Sequence, residues 1–350
     1  METRKSRRVQ VGENLFIGGD APVVVQSMLN APQGDIEANV QQARELSAAG
    51  CQLIRLSVTH HTDIDTIRAL KEAVKVPLVA DIQMNYELAL ESIDAGIDKI
   101  RINPRYIGGP DKVREVADKC KEHHNPIRVG VNSGSVEKEL LKKYGGVTPE
   151  AMAESAMNSV RILENADFHD IVISIKSSDI RTMIAAYRIV AKECDYPLHL
   201  GVTEAGTEKM GRIKSAIGIG SLLADGIGDT IRVSLADEPV KEIDAAFDIL
   251  KALDLVPDAP QLVACPTCGR TQIDLIGIAN EVEERLKDVH KPIRVAVMGC
   301  PVNGPGEASN ADIGIAGGNG VGLLFKKGEI IKKVPEEELV DELFREIERL

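Results

Sequence analysis

The run Ile127-Arg128-Val129-Gly130-Val131-Asn132 alternates β-branched apolar residues with polar ones or glycine. A period of two puts Ile127, Val129 and Val131 on one face of a strand and Arg128, Gly130 and Asn132 on the other. Seven further β-rich runs share this character: Val23–Met28, Leu53–Thr59, Leu78–Gln83, Lys99–Asn103, Asp170–Lys176, Pro197–Thr203 and Asp229–Leu235. Each is followed by a helical stretch. In Ile36–Ala49, for instance, Ile36, Val40, Ala43 and Leu46 share one face, and Gly50 ends the helix. Eight strand–helix repeats predict a (β/α)₈ (TIM) barrel, which typically takes ~250 residues, rather than an open doubly wound sheet. The segment Val9–Ile17 reads as a hairpin that plugs the barrel floor.

The same parity extends to the other strands. Arg55, Ser57 and Thr59 share the inward face, as do Asp81 with Gln83, Arg101 with Asn103, Ser174 with Lys176, His199 with Thr203, and Arg232 with Ser234. These polar sets lie toward the carboxyl ends of their strands, where barrel enzymes carry their active sites. Arg55, Arg101, Arg128, Lys176 and Arg232 would repel one another in a shared cavity. Asp81 and Glu204 are the carboxylates at hand, and two acids do not neutralise five cations. The excess predicts an anionic ligand rich in oxygens, a phosphate or diphosphate that arginine can grip bidentately. Ile293-Arg294-Val295 repeats the pattern outside the barrel, so the weight rests on repetition and not on one instance.

Composition narrows the alternatives. The chain has 350 residues, enough for one large domain and a smaller one, and 43% of them are hydrophobic, enough for a substantial core. A net charge of −12 argues against a nucleic-acid binder, and the absence of Trp with only 3% aromatics removes a base-stacking platform. No run is long and apolar enough for a membrane span. Basic Met1–Arg8 is followed by Gly12, Glu13 and Asn14, which interrupt any signal-peptide core, so the expected location is cytoplasmic.

Pro257-Asp-Ala-Pro260 marks a linker, dividing the chain into a barrel over residues 1–255 and a small α+β domain over 256–350. The latter should contain strands at Gln261–Ala264, Ile293–Met298 and Ile313–Ile315, and helices around Asp274–Val289 and Glu336–Leu350. It carries Cys265-Pro-Thr-Cys268 and, thirty-two positions on, Cys300. A zinc ribbon would need a second Cys-x-x-Cys pair or histidines; Cys300 is the last cysteine and His290 stands apart. The Cys-Pro pairs at 265 and 300 favour an iron–sulfur cluster, with zinc as the alternative. Three cysteines leave one iron of a cubane without thiolate. Glu307, in a Gly- and Pro-rich loop, could supply an oxygen, although a solvated loop carboxylate is the plainer reading. Gly317–Gly322 lacks the nucleotide-binding order and reads as a hairpin turn. Cys51, Cys120 and Cys194 read as buried thiols, and His60-His61 and His123-His124 as surface pairs.

Ordered motifs from about Arg8 to Lys333 give a resemblance. They are Val25-Gln-Ser-Met28, Ile100-Arg-Ile-Asn-Pro104, Arg128-Val-Gly-Val-Asn132, Leu200-Gly-Val-Thr-Glu-Ala-Gly206, Asp229-Thr-Ile-Arg-Val-Ser-Leu235, Cys265-Pro-Thr-Cys-Gly-Arg270 and Gly299-Cys-Pro-Val-Asn-Gly-Pro-Gly-Glu307. The chain resembles the bacterial 4-hydroxy-3-methylbut-2-enyl diphosphate synthase family of the non-mevalonate isoprenoid pathway. Only Ala236 to Ala264 separates the two halves, similar to the two-domain bacterial form. The resemblance implies a 4Fe-4S cluster on Cys265, Cys268, Cys300 and Glu307. It implies two-electron reduction of 2-C-methyl-D-erythritol 2,4-cyclodiphosphate, with flavodoxin or ferredoxin as donor. Carried onto this sequence, it gives the diphosphate to Arg55, Arg101, Arg128, Lys176 and Arg232. Hydrogen bonds to the substrate fall to Asn103, Asn132, Ser174, His199, Thr203 and Ser234. Glu204 and Asp81 become the acid/base candidates, Glu204 foremost, although its strand parity is outward.

The family's head-to-tail homodimer agrees with chain geometry. The last barrel helix, about Val240 to Leu253, should run toward the floor, and a linker of about ten residues spans at most ~35 Å. Reaching the mouth of a second copy is therefore easier than reaching its own. Two other classes remain as alternatives: a zinc-stabilised barrel enzyme acting on a sugar phosphate without redox chemistry, and a non-catalytic electron-transfer or regulatory module. A radical S-adenosylmethionine enzyme would need three clustered cysteines near the first strand, where Cys51 stands alone.

Overall fold

A computed structural model describes residues 3–301, 308–318 and 320–350. By contact the chain divides into two units, Met1–Leu255 and Val256–Leu350. In the first, a short antiparallel hairpin of β1 (Val9–Val11) and β2 (Leu15–Ile17) precedes eight parallel strands. These are β3 (Val24–Met28), β4 (Leu53–Val58), β5 (Leu78–Ile82), β6 (Lys99–Ile102), β7 (Ile127–Asn132), β8 (Ile171–Lys176), β9 (His199–Leu200) and β10 (Thr230–Ile231). Their order is β8-β7-β6-β5-β4-β3-β10-β9, and the ring closes between β8 and β9 through one bridge, Ile173 to Leu198. The eight expected runs are all present, and the fold is the TIM barrel anticipated from the repeats.

Helices follow the strands in turn: α1 (Ile36–Ala48), α2 (Asp63–Ala73), α3 (Tyr86–Asp94), α4 (Pro110–Glu122), α5 (Lys138–Tyr144), α6 (Pro149–Asn165), α7 (Ile180–Glu193), α8 (Glu208–Ala224) and α9 (Pro239–Ala252). Local signals set their ends. Asp35 caps α1 by accepting the Ala38 N–H at 3.0 Å, and Gly50 turns the chain out of it at φ +89°. The last two strands are shorter than expected. Only two residues of each pair in the ladder, and the extended backbone beyond them carries polar side chains instead.

The barrel interior is graded. At the floor, Val24, Leu53, Val79 and Val172 pack with Val9, Val11 and Ile17 of the hairpin. Apolar burial therefore seals one end, as expected of the plug, and the inward positions further along each strand are polar.

The second unit builds a five-stranded sheet in the order β11 (Gln261–Ala264), β12 (Arg294–Met298), β13 (Ile313–Ala316), β14 (Val321–Lys326), β15 (Glu329–Pro335). The first three are parallel and the last two antiparallel. Helices α10 (Leu275–Leu286) and α11 (Leu339–Glu348) pack on it through Leu275, Val282, Leu286, Leu339, Leu343 and Ile347. Strands β14 and β15 were not anticipated. In Glu329–Pro335 only Val334 is buried, so this edge strand has no apolar face to write a period of two into its sequence. The turn at Gly317–Gly322, by contrast, does connect an antiparallel pair.

Candidate active site

Asp81 organises the barrel interior. Nearly buried on β5, it accepts a hydrogen bond from Arg55 on one oxygen and from Arg101 Nη1 on the other at 2.9 Å. Burial works against its charge, yet the two guanidiniums outweigh that and hold its carboxyl well below the usual carboxylate range. Arg232 pairs instead with Glu242 of α9, Nε to Oε2 at 3.2 Å and Nη2 to Oε1 at 3.3 Å. Glu204, a candidate partner from the sequence, pairs with none of the five cations among the described residues. Glu242 takes that place, and it also accepts from the Ser27 hydroxyl at 2.9 Å and the Leu235 N–H at 3.1 Å.

Arg128 is wholly buried. Its Nη1 donates to Gln26 Oε1 at 3.3 Å and its Nε has no partner among the described residues. Lys176, at the end of β8, has no ion pair among the described residues, and burial followed by four nearby arginines pushes its ammonium well below its usual value. Burial likewise brings Arg55 down to about 10 against the pull of Asp81. Four guanidiniums and the Lys176 amine thus face two carboxylates, an excess of two fixed positive charges that a protonated Lys176 raises to three. An anion with several oxygens is the ligand that relieves it.

The hydrogen-bonding candidates are less uniform. Asn103 and Ser174 are buried, and Thr203 and Ser234 are half-buried. His199 is buried, with Nδ1 at 3.3 Å from the Thr230 hydroxyl and Nε2 unpartnered. Asn132 is exposed, and its N–H donates to the Ser135 hydroxyl at 2.9 Å. Glu204 is exposed and adopts φ +53°, a left-handed conformation rare for a non-glycine residue. That turn interrupts the strand alternation, so the outward parity of Glu204 does not apply at this residue. Sequence reasoning did not single out Glu242, Lys99 or Gln26. Lys99 and Gln26 had the inward parity to be found, whereas a glutamate on a helix carries no such signal.

In the second unit, Cys265 directly follows β11 and Cys300 lies two residues past β12, its neighbour in the sheet. The Cys265 sulfur accepts the Gly299 N–H at 3.1 Å, which ties the two loops together. Cys268 is exposed, and hydrogen bonds from the Arg270 backbone and side chain hold its thiol below the usual range. The strand order therefore brings the Cys-x-x-Cys turn and Cys300 to one end of the sheet. Among the described residues, no three His, Cys, Asp or Glu side chains approach closely enough to grip a single ion. Glu307 lies outside the described residues. Cys51 and Cys120 are buried as expected and Cys194 is half-buried. His60, His61, His123 and His124 are on the surface.

Comparison with known proteins covers both units. Residues 6–247 match the GcpE TIM-barrel domain and residues 261–349 the GcpE protein C-terminal domain. A relative from Clostridium perfringens is 58% identical over the whole of both chains, and one from Ruminiclostridium cellulolyticum is 55% identical over 100% of this chain and 99% of its own. Both bear the name 4-hydroxy-3-methylbut-2-en-1-yl diphosphate synthase (flavodoxin). Among solved structures, a Yersinia pestis dihydropteroate synthase matches with a TM-score of 0.53 and 12% identity, over 71% of this chain and 100% of its own. One from Xanthomonas albilineans gives 0.51 and 15%, over 72% and 100%. At these identities the structural matches speak for the barrel fold alone.

Proposed function

Because the chain belongs to the GcpE family, we propose that it opens and dehydroxylates 2-C-methyl-D-erythritol 2,4-cyclodiphosphate to 4-hydroxy-3-methylbut-2-enyl diphosphate, with two electrons from flavodoxin and release of water. The observation that carries this reading is the excess of cationic side chains over carboxylates in the barrel, which calls for a diphosphate. Arg55, Arg101, Arg128, Lys176 and Arg232 bind it, and Asn103, Asn132, Ser174, His199, Thr203 and Ser234 orient the ligand by hydrogen bonds. Glu204, free of any ion pair among the described residues, donates the proton to the departing hydroxyl. Asp81, held ionised by two arginines, is a poor proton donor and fixes the Arg55 and Arg101 guanidiniums in position.

Cys265, Cys268 and Cys300 fit a thiolate-ligated cluster by donor chemistry and by their common sheet end. They would hold a 4Fe-4S cluster with Glu307 as fourth ligand. When bound, the cluster supplies the electrons. The zinc alternative draws no support from the relatives, which bear the name of the diphosphate synthase. Met84 and Tyr106, exposed on the loops after β5 and β6, offer an apolar rim that a second copy would cover in a homodimer. No helix of the described residues is long and apolar enough to cross a membrane.

Anaerobic purification with iron and sulfide counting tests the reading, followed by turnover of the cyclic diphosphate with reduced flavodoxin. About four irons and four sulfides per chain and formation of the linear diphosphate are expected. A colourless preparation with one zinc per chain overturns it. Glu204→Gln should abolish turnover with the cluster spectrum intact; a non-catalytic module has no turnover to lose.

A further inference from the structure

Below the arginines stands a cation that the reading above leaves unused. Lys99 precedes Arg101 by two residues on β6, so it faces inward one step nearer the floor. It is wholly buried, and among the described residues its Nζ has neither a hydrogen-bond partner nor an ion pair. Its register partner on β5 is Val79, part of the apolar floor packed on the hairpin. The charged and titratable groups that act on it from neighbouring elements are Arg128 of β7 and His199 of β9, both fully buried. The Asp81 carboxylate is engaged by Arg55 and Arg101.

Two cations beside an apolar floor with no acid between them are unstable together. The guanidinium of Arg128 keeps its proton under all ordinary conditions, whereas a buried ammonium can lose its own. Burial, with Arg128 adding to it, pushes Lys99 well below the usual lysine value. A dianion entering the tier above reverses the local field and favours the charged amine.

We propose that Lys99 is a positioning residue that takes up one proton from solvent when the diphosphate binds, so that the barrel floor supplies a counter-charge absent from the ligand-free site. This rests on the diphosphate reading above. It separates two demands on the site: the empty barrel avoids one more cation beside its arginines, and the filled one gains it.

Calorimetric titration of the cyclic diphosphate into the holoenzyme, without reductant so that no turnover occurs, counts linked protons when repeated in buffers of different ionisation heat. The ligand carries one strongly acidic oxygen per phosphorus and does not itself titrate near neutrality. The wild type should take up about one proton per ligand, and affinity should fall about tenfold per pH unit between the free and bound pKa values. Lys99→Met should abolish that uptake and flatten the pH profile. It should weaken binding about tenfold for each unit by which the ligand raises the lysine's pKa. Lys176 and His199 are the competing proton acceptors. Uptake that survives in Lys99→Met overturns the assignment. Should Lys99→Met not fold, Lys99→Arg decides: its fixed charge cannot take up a proton, so uptake must vanish and affinity become independent of pH, and uptake that survives there overturns the assignment. A wild type that does not bind the ligand overturns the functional reading, and this inference with it; binding without Lys99-linked uptake overturns this inference alone.

Discussion

The Arg101 guanidinium lies against the bare backbone of Gly130 on the adjacent strand: a Cβ at 130 would stand 2.5 Å from both Nε and Nη2. Glycine at this inward position is therefore what lets Arg101 reach Asp81. Gly130→Ala should leave the fold in place, because only the mobile end of a side chain must yield. It should displace the guanidinium from Asp81 and weaken diphosphate binding about ten- to hundredfold, the worth of one or two charge-assisted hydrogen bonds. Calorimetric affinity, read beside an unchanged circular-dichroism spectrum, checks this.

Glu242 ties the last barrel helix to the site. Its two oxygens accept from Ser27, Leu235 and Arg232, and the residue is only 3% exposed. Glu242→Gln keeps the shape but replaces an acceptor with a donor and leaves Arg232 without its counter-charge. A loss of about 3–5 kcal/mol is expected, as for a broken buried ion pair. An anionic ligand should restore part of it, so the cyclic diphosphate should raise the urea midpoint more in the variant than in the wild type.

Tyr187 of α7 compensates for the weakest seam in the ring. Between β8 and β9 the ladder is reduced to one bridge, and the buried Tyr187 hydroxyl accepts the Ile175 N–H at 2.9 Å while donating to the His199 carbonyl. Tyr187→Phe leaves both backbone groups unsatisfied, at about 1–3 kcal/mol each. Faster hydrogen exchange at Ile175, with exchange on β4 and β5 unchanged, would locate the defect at the seam. Uniform acceleration across the barrel would count against this role.

Strand parity made the barrel and its cationic interior readable, because one apolar face against the helices forces every alternate residue inward. The same rule covered Lys99 and Gln26, yet neither stood out, since each lies at a level where barrels ordinarily carry apolar packing. Glu242 escaped because its role depends on which helical residue reaches Arg232 through space. Glu204 escaped parity through its own backbone, since φ +53° turns the chain where the alternation would have continued. In the second unit the buried strands announced themselves, and the exposed edge strand β15, with Ile330 to Lys333 all solvent-facing, did not. The cysteine motifs were plain from spacing, whereas the proximity of Cys300 to the Cys-x-x-Cys turn required the pairing of β11 with β12.

The proposed chemistry needs the barrel cations and the cysteine cluster at one place, and a homodimer that shares its sites draws them from different chains. Arg128→Ala removes a buried guanidinium from the barrel, and Cys300→Ala removes a thiolate from the second unit; each protein alone should be inactive. In a heterodimer of the two, one shared site combines both lesions and the other combines the intact barrel with the intact cysteines. Random reassociation makes half of the dimers mixed, with one live site in two, so activity should return to about a quarter of wild type. Mass spectrometry of the intact dimers establishes that exchange has occurred. If mixed dimers form and remain as inactive as their parents, each chain completes its own site and the shared arrangement is wrong.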